Sequence, residues 1–310
     1  GFTGGIFRTD PRNPQRSTRS TQYYYFGGTD LNGDGDTLDY VTIGSPSNTQ
    51  TNRYGVIANL IYDIAEGQRI RLAYTFDRAR HRQTGTSGSL LTNGEPVSVF
   101  PIDDPLLDSS GIAPQKRNRK SFATLHQASA EYRGEFGDLT TVLGLRAPFF
   151  KRELNQNCFT TSAGGFVDCP APGQDLSNYV DASFNDDHTA PQSRTYNYDK
   201  LLPNIGLTFD FTPDASVFAN YAKGLSVPGT DPLYDSLYFA DSAIARPVPE
   251  TTDSFDLGLR FRSGNVEAQL GAYYTRYENR LAVAFDPEAN DGEGENVFRN
   301  LGRVDKYGVD

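Results

Sequence analysis

The chain has 310 residues, a formal net charge of −10 and 37% hydrophobic residues, with 30 Gly, 18 Tyr and 20 Phe but no Trp or Met. The acidic balance argues against nucleic acid as a partner, because a phosphate-binding surface needs a basic field. No window approaches the ~20 continuous apolar residues of a transmembrane helix, which excludes helix-spanning membrane proteins; a strand-built membrane wall needs only every second residue apolar and stays open.

Residues 1–52 read as a polar loop. Within it, DLNGDGDTLD sets Asp30, Asn32, Asp34 and Asp36 at alternate positions, with Gly33 and Gly35 between them and Asp39 beyond. Oxygen ligands at this spacing, with glycines that permit a tight wrap, suit a hard cation, and the segment is a candidate calcium (Ca2+) site. It departs from an EF-hand loop, because Val41 stands where the twelfth-position Glu would be. A metal-free acidic turn accounts for the same residues.

Residues 53–152 read as two hairpins. In QRIRLAYTFDR, Ile70, Leu72, Tyr74 and Phe76 fall on one face, opposite Arg69, Arg71, Ala73, Thr75 and Asp77. Such period-2 alternation marks a half-exposed strand, and the charged side must meet water. Short turns are predicted at Ala65–Gln68 and Phe136–Asp138. Between the hairpins, roughly 40 residues separate Arg78 from Lys120. Basic residues cluster at both ends of this loop: Arg78, Arg80, His81 and Arg82 at one, Lys116, Arg117, Arg119 and Lys120 at the other. The clusters are expected to approach each other and to contact an anionic ligand or lipopolysaccharide phosphates; a solvated loop base is the simpler account. Whether the shared face of Arg78, Arg80 and Arg82 looks into a lumen or toward lipid decides between the two contacts. His126 falls mid-strand, where as an interior residue it could touch substrate; a hydrogen-bonded structural His is the simpler account.

Residues 153–196 read as a second long loop. Its two cysteines, Cys158 and Cys169, flank a short polar stretch in an otherwise Cys-free chain, which predicts a disulfide and an oxidising compartment. Residues 197–310 return to hairpins and end in a truncated strand. NIGLTFDFT places Ile205, Leu207, Phe209 and Phe211 on one face. SFDLGLRFR does the same with Phe255, Leu257, Leu259 and Phe261, and NVEAQLGAYYT with Val266, Ala268, Leu270, Ala272 and Tyr274. Turns are predicted at Thr212–Ala215 and Ser263–Asn265. Short turns thus alternate with long connections along the whole chain. Compact soluble domains rarely carry loops beyond ~12–15 residues, whereas outer-membrane barrels have short turns on one side and long loops on the other. No P-loop, GxSxG or HExxH is present, and no His lies at catalytic spacing from a nucleophile, so no enzyme is expected.

The second half carries family wording. LLPNIGLTFDFTPDASVFANYAKGLSVPG, then PETTDSFDLGLRFRSGNVEAQLGAYYTRYENRL, resembles the C-terminal half of a TonB-dependent receptor barrel. The matching residues are Leu202, Pro203, Asn220, Tyr221, Gly224, Pro228, Pro249, Glu250, Gly258 and Arg260. Asn300, Gly302, Val304, Tyr307, Gly308 and Val309 resemble the strand start that usually follows. The resemblance implies an all-β, antiparallel up-and-down transmembrane barrel in the outer membrane of a Gram-negative bacterium, with this chain forming part of a 22-stranded wall. It also implies active import of a scarce solute, by default a ferric siderophore, driven by TonB through a plug and Ton box. Neither is present in these residues, so the chain reads as a fragment of a longer protein. A passive porin or structural barrel, and a secreted calcium-binding β-protein of adhesin type, remain the alternatives.

Overall fold

The computed structural model describes residues 6–7, 9–10, 13–17, 24–27, 30, 33–91, 93–107, 111, 113–160, 167–170, 173, 189–238, 246–286 and 295–310. Its centre is one antiparallel sheet built from β1 (Asn48–Ala65), β2 (Gln68–Thr86), β3 (Ala113–Phe136), β4 (Leu139–Gln156), β5 (Gln192–Asp199), β6 (Leu202–Thr212), β7 (Ala215–Ser226), β8 (Glu250–Ser263), β9 (Val266–Glu278) and β10 (Val304–Val309). Neighbours in sequence are neighbours in space throughout, which is an up-and-down meander. Strands β5 and β6 both pair with β4 and are one strand interrupted at Lys200–Leu201. The register is unchanged across the gap, with Asp199 opposite Phe149 and Leu202 opposite Arg146. The gap lies opposite Pro148, which has no N–H to donate to the ladder.

The short turns follow from local chemistry. Gly67 (φ 69°) and Gly264 (φ 58°) take left-handed conformations that close two of the hairpins, a backbone that side chains with a Cβ resist. Register then carries the alternation from strand to strand. Tyr62, Ile70, Tyr132, Leu143, Ile205, Tyr221, Phe255, Tyr274 and Tyr307 form one continuous row across the sheet. Parallel rows hold Leu60, Leu72, Ala130 and Leu145, and Val217, Leu259 and Leu270. Leu257, at 57% exposure, is representative of this face, where none of the described residues covers the apolar side chains. The opposite face carries Arg71, Glu131, Asn204, Asn220, Asp256, Arg260 and Gln269.

Strand lengths separate two regions. A tilted membrane strand needs ~9–11 residues. Strands β6 to β9 have 11 to 14 residues, but β3 has 24 and β1, β2 and β4 have 18 or 19. The surplus lies entirely at the end with the long connections. The strands therefore run further than sequence patterning suggested: β2 continues through Arg78–Arg82 to Thr86, and β3 begins at Ala113. The two basic clusters stand on paired strands, not at the mouth of a 40-residue loop. Polar alternation there looks like loop composition, and only cross-strand pairing distinguishes the two.

Within the connections, a short hairpin of Phe159–Thr160 and Val167–Cys169 docks on Ala113–Gln115 of β3 and is closed by the Cys158–Cys169 disulfide. Six short strands lie between Ile6 and Gly44. After β7, α1 (Thr230–Asp235) and a 3-10 turn (Ser236–Tyr238) fold back over the sheet.

Candidate functional site

The extended strands carry one charge cluster on each face. On the polar face, Phe150, Arg152 and Leu154 of β4, Arg119 of β3, and Tyr196 and Tyr198 of β5 point the same way, toward α1. Leu154, Leu233 and Leu237 are essentially fully buried, and with Tyr196, Tyr198 and Tyr234 they form the main apolar core of the described residues. Pro232 sits in the first turn of α1, where its missing N–H leaves no helical bond unmade.

Arginines pin this helix. Arg119 is 2% exposed. Its guanidinium donates through Nε to Gln83 Oε1 (2.6 Å), donates to the Asp231 carboxylate, and lies over the Tyr234 ring (4.4 Å). Arg117 is 4.0 Å from Asp231, and Arg152 donates to Thr230 Oγ1 at 3.3 Å. The Tyr234 hydroxyl donates to the Asn155 carbonyl (3.3 Å), and burial pushes its phenol pKa up. Arg194 and Gln192 donate to the Ser236 and Leu237 carbonyls at 2.6 and 2.7 Å. Two guanidiniums, those of Arg117 and Arg119, thus face one carboxylate with the Arg152 guanidinium beside them on Thr230, and Asp231 is itself half exposed. Buried charge is tolerated only when paired, so the pocket favours a further anion.

On the apolar face, the row Phe76, His126, Phe149 is followed by Arg78, Thr124, Lys151, then by Arg80, Phe122, Glu153, then by Arg82, Lys120, Asn155. The predicted basic residues are therefore divided. Arg78, Arg80, Arg82 and Lys120 share the apolar face; Arg117 and Arg119 reach Asp231 on the polar face; His81 is bonded to Thr51 Oγ1 (2.7 Å). Lys116 is half buried near the start of β3. His126 is not an interior residue. It stands on the apolar face beside Phe76 (5.1 Å between ring centroids), with Tyr74 Oη 2.8 Å from its Nδ1.

In the acidic turn, Asp30, Asp34 and Asp39 each bring a carboxylate oxygen within 4.8 Å of the others. The Asp30 carboxylate accepts from the N–H groups of Gly33 (2.6 Å) and Gly35 (3.0 Å), and Asp34 accepts from the Asp36 N–H (3.0 Å). Asn32 lies outside the described residues.

Asp231, Tyr234, Arg152, Arg194, Tyr196 and Tyr198 were not singled out from sequence. The helix-start signal Thr230–Asp231–Pro232 and the alternating Tyr196 and Tyr198 could have flagged them.

A meander with one uncovered apolar face, one wet polar face and long connections at a single end is the wall of a transmembrane β-barrel. A model of the family "TonB dependent receptor-like, beta-barrel" matches residues 3–310, and the chain belongs to that family of Gram-negative outer-membrane proteins. These are transporters, not enzymes. Among solved structures, the chain is similar to the copper transporter OprC (13% identity, TM-score 0.55, covering 93% of this chain and 40% of that one). It is similar also to the ferric yersiniabactin uptake receptor FyuA of Yersinia pestis (13%, TM-score 0.51, covering 93% and 34%). At this identity the likeness establishes the fold, and the chain spans less than half the length of each.

Proposed function

We propose that this chain is the ligand-facing part of an outer-membrane receptor that imports an anionic metal chelate, most simply a ferric siderophore, with energy delivered by TonB through a plug and Ton box outside these residues. One observation carries the choice of an anion: Arg117, Arg119 and Arg152 line the polar face of the long-loop end, and among the described residues the one carboxylate paired with any of them is Asp231, which faces Arg117 and Arg119 while Arg152 is bonded to Thr230. Polar-face cations at the outer mouth meet a ligand before any other part of the wall does. A chelate bearing carboxylates or catecholates supplies the charge that this site lacks. Family membership supports the transport half of the proposal, and the cargo of the similar FyuA, ferric yersiniabactin, is of the same chemical class.

The test is uptake of labelled ferric chelates by iron-starved cells carrying the intact receptor or its Arg117→Gln variant, Arg117 being the more exposed of the two arginines at Asp231. A charged hydrogen bond contributes about 1.5–3 kcal/mol, so the variant is expected to lose about tenfold or more in ligand affinity while still reaching the membrane. Unchanged uptake of every anionic chelate, with correct assembly, rejects the proposal.

A further inference from the structure

We propose that Arg78, Arg80 and Lys120 form a seat for the phosphate groups of an outer-leaflet lipid, on the outside of the barrel and separate from the ligand pocket. Four observations converge. First, these side chains share a face with Phe76, His126 and Phe149, the last apolar row before the long-loop end, so they stand where hydrocarbon gives way to headgroups. Second, the cations are local and unneutralised: among the described residues no carboxylate pairs with Arg78, Arg80 or Lys120, and Glu153, the acid on this patch, is taken by Lys151 at 2.8 Å.

Third, the cations toward the long-connection end of β7 to β10 on this face are ion-paired. Lys223 binds Asp253 (3.0 Å), and Arg276 (3.5 Å) and Arg303 (2.8 Å) bind Asp305. The excess charge is thus a feature of one sector of the described wall rather than of all of it. Fourth, Phe122 lies between two of the cations, with Arg78 at 5.1 Å and Lys120 at 5.2 Å from its ring centroid. The ring holds the two side chains against the wall and offers apolar surface at the depth of the acyl chain origin. Arg82 takes no part, because its guanidinium is spent on the Gln83 and Arg119 carbonyls and on Asn118 Oδ1.

A phosphorylated headgroup meets both requirements, since its oxygens accept from several cations and its chains continue down over Phe76 and Phe149. Free inorganic phosphate satisfies only the first.

The proposal is independent of which solute the receptor carries. The intact receptor, purified in detergent, is titrated with fluorescent diphosphoryl lipid A, with the dephosphorylated lipid, and with inorganic phosphate as competitor. Loss of one surface cation near a membrane is expected to weaken binding about fivefold, and the triple variant R78Q/R80Q/K120Q on the order of a hundredfold. Lys223→Gln, which removes an ion-paired cation of the same rim, is expected to leave binding unchanged. The conservative R78K/R80K is expected to retain it and separates loss of charge from misfolding. Equal binding of the dephosphorylated lipid, displacement by millimolar inorganic phosphate, or equal losses in Lys223→Gln and the triple variant would each overturn the proposal.

Discussion

Replacement of Leu257 by Arg tests the face on which the whole architecture rests. Leu257 stands mid-strand in β8, between Phe255 and Leu259 on the same face and between Ala219 and Ala272 on the neighbouring strands. It is 57% exposed, and no side chain among the described residues covers it. Full burial of a Leu contributes about 1.5–3 kcal/mol, so contact of that fraction with acyl chains is worth roughly 1–2 kcal/mol, the expected loss for Leu257→Ala. An arginine there must also bring its charge into hydrocarbon, with apolar rows on both sides limiting its escape to water. Near the midplane the total is about 2–4 kcal/mol. Asp256, the next residue, faces the wet side, and Asp256→Asn is expected within about 0.5 kcal/mol of wild type. The assay is urea-dependent folding of the intact receptor into lipid vesicles, read by heat-modifiable electrophoretic mobility. A neutral Leu257→Arg would show that the row meets water. A Leu257→Ala loss of about 3–5 kcal/mol would show it packed against a protein layer, where the cavity is not refilled by lipid.

Gly258→Val is expected to destabilise by about 1–3 kcal/mol, because an added Cβ meets the Phe218 ring at 2.5 Å, and that ring is fixed beneath the Arg260 guanidinium; the same folding assay reads it. Asp231→Asn leaves the buried Arg119 without its carboxylate and is expected to destabilise the packing of α1 by about 1–3 kcal/mol, seen as faster hydrogen exchange in residues 230–238 with no change in β6 to β9. Cys158→Ser opens a crosslink with a sequence separation of 11, worth about 3 kcal/mol by loop-closure entropy, and is expected to expose the neighbouring connection to protease without unfolding the wall. If the acidic turn seats calcium, millimolar Ca2+ protects residues 30–41 from proteolysis and Asp34→Asn abolishes that protection; equal cleavage rates with and without the ion would reject the site.

Alternation and turn chemistry determined much of this molecule without any tertiary information. The Ile70–Phe76, Ile205–Phe211 and Phe255–Phe261 rows identify strands wet on one side only. The short turns pair those strands in sequence order, and the crowding of long connections at one end orients them. Period 2 also carries parity upward, so that Arg78, Arg80 and Arg82 continue the Phe76 face. That inference needed β2 to remain a strand beyond the apolar belt, and polar residues in a paired extension look the same as polar residues in a loop. Cross-strand hydrogen bonds decided it. The same pairing separated Arg119 from Lys120, adjacent in sequence and on opposite faces of the wall. The ligand pocket was beyond local pattern altogether, because Asp231 lies 112 residues from Arg119 and only the fold-back of α1 onto the polar face brings them together. Strand periodicity is a local property of the backbone, whereas the partner of a buried charge is set by where distant segments of chain come to rest.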